Sequence, residues 1–173
     1  MPDGWSRSLD AGQLADRRTD IDFSIPLAQL ARLAPQLAGG AGHAKGRAAF
    51  VREQGLAVVD LAVEAAVPLT CQRCLAPMVW PVASRARIAI VADADAAERV
   101  APEFETVLAP GGRITVGELV EEELLLALPI VPMHADRADC GVSAAGERAA
   151  EETQKPFAGL AALLKGGAGP DEE

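Results

Sequence analysis

Tyrosine is absent from this 173-residue chain, and aromatic residues together make up 3 % of it. Trp5, Phe23, Phe50, Trp80, Phe104 and Phe157 are scattered and form no cluster along the sequence. The core must therefore be built from Ala, Val, Leu and Ile, which a hydrophobic content of 50 % supplies. A surface that stacks successive bases on aromatic rings has too little to work with. Long apolar runs are lacking as well. Residues 124–133 form the longest, about half a bilayer span, and Pro129 and Pro132 interrupt it. Residues 1–18 are polar and charged, with no apolar signal core. The chain is thus expected in the cytoplasm, with no membrane contact.

Catalytic patterns are missing too. There is no G-x-S-x-G, no phosphate-binding G-x-x-x-x-G-K, no G-x-G-x-x-G and no H-E-x-x-H. The chain has two histidines, His43 and His134, so a Ser-His-Asp site would need one of them, and nothing nearby supports that. Glu121-Glu122-Glu123 does not make an acid–base pair, because adjacent residues on a helix point in different directions. A solvated face is the expectation there. Neither enzymatic activity nor a small-molecule substrate is expected.

The net charge is −9, unevenly spread. Residues 41–92 carry six basic and three acidic groups, the only stretch with a positive balance, whereas residues 93–125 carry two basic and nine acidic. An acidic protein is repelled by bulk nucleic acid, so any RNA contact must be local or pass through a basic protein.

The length suits one domain with a real core. Residues 1–23 read as a flexible lead-in. Ser24, with Pro26 in the first turn, reads as a helix start, with Leu27, Leu30, Ala31 and Ala34 on one face. From Lys45 the period becomes two. Residues 47–52 form a weak strand, Glu53-Gln54-Gly55 a hairpin turn, and Val59, Leu61, Val63, Ala65, Val67 and Leu69 the apolar side of a half-buried strand. Val82, Ser84, Ala86, Ile88 and Ile90 alternate again, which puts Arg85 and Arg87 on the opposite face. Residues 93–112 read as a long acidic loop. Thr115-x-x-Glu118 is a capping-box pattern that opens a helix stopped by Pro129. The predicted class is α+β: an antiparallel sheet, open or partly closed into a barrel, packed with two to three short helices. One domain is expected over residues 24–165, with an apolar patch at residues 157–164 and a disordered tail at 166–173.

Cys71-Gln72-Arg73-Cys74 is the sharpest feature, directly after a strand. A tight turn brings two thiolates at this spacing to one side, where they can chelate one tetrahedral ion. Zinc takes four ligands, and His134 and Cys140 supply the other half of a Cys₃His site; His43, in a Gly/Ala loop, is a poorer candidate. Without metal, the same residues are reduced thiols at a hairpin end and an ordinary loop histidine. A thioredoxin-like dithiol would open a helix after the strand, whereas here Pro77 follows and another strand begins.

Val67-Pro-Leu-Thr-Cys71-Gln-Arg-Cys74-Leu75, with Pro77 and Val82 after it, resembles the YceD family. The stretch from Gly117 to Pro129, followed by Val131-Pro-Met-His134 and Cys140, resembles that family's second signature, and Lys155 to Leu164 its C-terminal end. The resemblance implies a bacterial, non-catalytic factor for processing or accumulation of large-subunit (23S) ribosomal RNA, and implies no active site. On that reading Arg73, Arg85 and Arg87 are candidates to grip RNA phosphates. Glu118, Glu121 and Glu122 are candidates to hold the basic tail of a ribosomal protein. The alternatives, a thiol redox protein and a zinc-stapled interaction module without an RNA role, remain open at this point.

Overall fold

The computed structural model describes residues 4–140. Its frame is a five-stranded sheet of order β2-β3-β4-β5-β6, made by β2 (Asp20–Pro26), β3 (His43–Glu53), β4 (Leu56–Thr70), β5 (Pro77–Val91) and β6 (Glu105–Leu108). The first four strands run antiparallel, and β6 joins β5 in parallel. β2 and β6 are the two edges, so the sheet is open and not a barrel. A two-residue turn links β3 to β4. Gln54 at φ 48 and Gly55 at φ 82 give the paired positive φ values that match hairpin twist.

Alternation decides which face of the sheet carries the main core. Val59, Leu61, Val63, Val67 and Leu69 of β4 point inward with Val82, Ala86, Ile88 and Ile90 of β5. Opposite them lie α1 (Ala11–Asp16) and α3 (Val116–Ala127). α3 starts with the predicted capping box: the Thr115 hydroxyl accepts from Glu118 N at 3.0 Å, and the Glu118 carboxylate accepts from Thr115 N at 3.1 Å. Leu128 then turns extended at ψ 145 because Pro129 disfavours a helical residue before it. Two glycines mark close approaches. A Cβ at Gly46 would lie 1.9 Å from the Ala62 carbonyl oxygen, and one at Gly117 would lie 2.8 Å from the Trp5 ring.

Three expectations change. Residues 24–34 form no α-helix. Asp22 and Ser24 face solvent while Phe23 and Ile25 are buried, so period two runs through Ser24 to Pro26 as β2. Buried Leu27, Leu30 and Leu33 then follow at a spacing of three, the repeat of 3₁₀ turns, which occur at Leu27–Gln29 and Ala34–Gln36. The lead-in is also structured. β1 (Leu9–Asp10) pairs with β7 (Arg113–Ile114), and Ala11 and Ala15 of α1 are buried. Finally, residues 93–112 are more than a loop. They hold the short helix α2 (Ala94–Ala97) and β6, and Phe104 packs with Val58 and Ala89 in a small cluster on the outward face. The apolar patch at residues 157–164 and the tail at 166–173 lie outside the described residues. Among the described residues, no helix is long and apolar enough to cross a membrane.

Candidate metal centre

The β4–β5 hairpin ends in a tight turn. Cys71 N donates to Ala76 O at 2.9 Å and Leu75 N to Cys71 O at 2.9 Å, with Leu75 held at φ 60. This folds Cys71 and Cys74 towards each other. The chain leaving α3 then runs beside the turn, and Gln72 N donates to Pro132 O at 2.8 Å. His134 and Cys140 are delivered by that segment, with Cys140 N bonded to Arg137 O at 3.1 Å.

All four predicted ligands meet. Their candidate donor atoms lie within 4.8 Å of one another. Cys74 Sγ is 3.5 Å from His134 Nδ1, Cys140 Sγ is 3.5 Å from the same nitrogen, and Cys71 Sγ is 3.9 Å from Cys140 Sγ. A tetrahedral zinc with its usual bond lengths has S···S edges of about 3.8 Å and S···N edges of about 3.6 Å. The three distances fit those edges. Cys71 is buried and the other three are half-buried, so solvent reaches the cluster from one side. His43 starts β3, exposed, and takes no part in the cluster.

The electrostatics separate the sulfurs. Burial pushes the Cys71 thiol up, but hydrogen bonds from the backbone at Cys74, His134 and Arg73, and from the Cys74 side chain, outweigh it and hold Cys71 down to about 5. Cys140 is raised above its ordinary value by burial, then by its bonds to Cys74 and Cys71 and by the charge of those two sulfurs. A divalent cation would relieve the crowding of sulfurs held this close, releasing their protons as it binds.

The other predicted contact residues scatter. Arg73 sits in the turn, its Nη1 3.6 Å from Cys140 Sγ and its Nη2 3.8 Å from Met133 Sδ. Arg85 and Arg87 point from the outward face of β5, eight and ten residues beyond Pro77, which puts Arg85 about 25 Å up the strand. Arg87 is engaged: it pairs with Asp60 at 3.0 Å and Glu53 at 2.5 Å, and its guanidinium lies 5.0 Å from the Phe104 ring centre. The face around Arg85 is balanced. Lys45, Arg47, Arg85 and Arg87 share it with Asp20, Asp22, Asp60 and Glu64, because β2 and alternate β4 positions insert carboxylates between the cations.

The glutamates have internal partners too. Glu118 closes the capping box. Glu121 is buried and accepts from the N–H groups of Arg32 at 2.7 Å and Leu33 at 3.3 Å. Glu122 pairs with the Arg32 side chain, and buried Glu123 accepts from the Ser84 hydroxyl. The solvated face expected for this run is therefore replaced, at Glu121 and Glu123, by buried structural contacts.

One feature was not foreseen from sequence. Of seven large hydrophobic side chains exposed among the described residues, five (Leu75, Val79, Ile130, Val131 and Met133) lie on the two segments that the cluster joins. The signal was present in the apolar run after α3: prolines at 129 and 132 stop it from forming a helix, so its side chains cannot share one buried face.

Residues 59–164 match the profile of the family described as Large ribosomal RNA subunit accumulation protein YceD. The chain belongs to the YceD family. The match spans all four cluster residues. The large ribosomal RNA subunit accumulation protein YceD of Haemophilus influenzae is 35 % identical over 139 residues, covering 79 % of this chain and 79 % of the relative. No solved structure matches.

Proposed function

We propose that this YceD-family chain promotes accumulation of large-subunit ribosomal RNA as a non-catalytic binding factor. In this reading Cys71, Cys74, His134 and Cys140 hold a zinc ion that staples the hairpin tip to the segment after α3. The observation that carries it is the coincidence of that cluster with five exposed apolar side chains. A closed four-ligand zinc centre leaves no open position for chemistry and acts by fixing shape. What it fixes here is the pair of segments that expose Leu75, Val79, Ile130, Val131 and Met133, with Arg73 on the first of them. Exposed apolar patches of this kind mark contact sites. The contact is with a basic ribosomal protein or with the large-subunit RNA itself; Arg85, exposed and without an ion pair among the described residues, adds a phosphate contact in the second case.

The test is sucrose-gradient fractionation of extracts with and without the gene, following the protein and the ribosomal RNAs. The reading expects the protein on precursor large-subunit particles and a loss of mature large-subunit RNA on deletion. Unchanged RNA profiles, with the protein confined to the top of the gradient, would sink it.

A thiol-exchange reading has one observation in its favour, the depressed Cys71 thiol. Its sulfur, however, is fully buried, and no helix begins after the motif to activate it. Failure of the reduced protein to exchange with a model disulfide would end that reading.

A further inference from the structure

Arg73 is the one cation placed by the C-x-x-C turn itself. It lies between the two ligands in sequence, yet its guanidinium reaches across to the other segment, to Cys140 Sγ at 3.6 Å and Met133 Sδ at 3.8 Å. Three thiolates and a neutral imidazole around a divalent ion leave a net charge of −1 on the centre. That residual charge is costly in a half-buried pocket whose first sulfur is wholly excluded from water. It is also concentrated, since Cys140 Sγ lies only 3.9 Å from Cys71 Sγ.

We infer that Arg73 is a positioning residue of the centre, whose guanidinium bonds to the Cys140 sulfur and cancels the net negative charge of a divalent ion held by Cys71, Cys74, His134 and Cys140. The inference rests on the zinc reading above and assigns Arg73 a role separate from gripping RNA. A charge-assisted bond to a coordinated thiolate keeps that sulfur on the metal and fixes its direction, as outer partners of metal ligands generally do. The contact to Met133 lays the exposed Arg73 side chain along the 130–134 segment, so that its guanidinium meets the Met133 and Cys140 sulfurs together. Arg73 thereby ties the turn to the second segment independently of the metal.

The test compares the full-length wild type with Arg73→Gln and Arg73→Lys, using Zn²⁺ and Co²⁺ as probes. Zinc affinity is read by competition with a chromogenic chelator. The Co²⁺ proteins are read by thiolate-to-metal charge-transfer intensity, which counts coordinated sulfurs. Arg73→Gln should bind zinc about 10–100-fold more weakly, with reduced charge-transfer intensity because Cys140 leaves the metal. Arg73→Lys should recover most of both, since it restores the charge. Unchanged affinity in Arg73→Gln would overturn the inference while leaving the zinc centre standing. Equal losses in both variants would overturn it too, since charge would then not be the cause. A wild type that binds neither metal at one equivalent would refute the zinc reading, and this inference with it.

Discussion

Under the proposed zinc reading, removing the metal should destabilise the protein by an amount that the structure sets. The cluster joins residues 69 apart in sequence, Cys71 and Cys140. Treated as a cross-link, closing a loop of that length removes about 4 kcal/mol of chain entropy from the unfolded state. Two of the ligands, Cys71 and Cys74, are close enough to hold an ion in the unfolded chain as well, so about 4 kcal/mol is a ceiling. For a chain of this size each kcal/mol moves the melting temperature by about 2–4 °C, which places the expected drop at up to roughly 8–16 °C. The assay is differential scanning calorimetry of the purified protein as isolated, with excess chelator, and after re-addition of zinc, beside elemental analysis. The double variant His134→Ala, Cys140→Ser cuts both long-range arms and leaves the C-x-x-C turn intact. It should melt like the chelated wild type and ignore the chelator. Protein isolated without metal, whose melting temperature chelator and zinc both leave unmoved, would refute the argument.

In the metal-free protein, pH acts through the two shifted thiols. Cys71 is lowered from 9.0 to about 5, so its contribution is lost as pH falls through 5 and grows as pH rises towards 9. Cys140 is raised above 9.0, so its contribution holds below 9 and is lost as pH climbs past its folded value. Urea denaturation with chelator present should therefore show stability rising from pH 5 towards 9 and falling beyond it, and Cys71→Ser should flatten the rising limb. Glu121→Ala should cost about 1–3 kcal/mol in urea denaturation, because it strands the Arg32 and Leu33 N–H groups; Glu122→Ala, which loses an exposed ion pair, should cost clearly less. Equal costs would refute the assignment. Gly46→Ala drives a Cβ into a backbone oxygen that the sheet holds fixed and should cost about 3 kcal/mol, whereas Gly117→Ala meets the movable Trp5 ring and should cost less. The same urea series reads both.

Much of this protein was legible as sequence because its informative patterns are local. Alternation from Val59 to Leu69 and from Val82 to Ile90 needs only the period of the strand, and the structure buries those residues as expected, the Ala65 and Ser84 positions being half-buried. The capping box at Thr115 and Glu118 needs only helix geometry. The pairing of Cys71-x-x-Cys74 with His134 and Cys140 followed from ligand arithmetic, since two sulfurs require two more donors. Long-range placement was a different matter. The basic excess of residues 41–92 exists along the chain and is offset on the outward face, because strand pairing brings Asp20 and Asp22 of β2 among cations already flanked by Asp60 and Glu64. The glutamate run looked solvated until Glu121 met the N–H groups of the 30–34 turn and Glu123 met Ser84. Leu27, Leu30 and Leu33 fit a helix face as well as a 3₁₀ repeat, and only the extension of β2 through Pro26 decided between them. A sequence records the periods and donor types of its own segments. Which charges neutralise one another, and which apolar side chains stay uncovered, depends on neighbours that only the tertiary fold brings together.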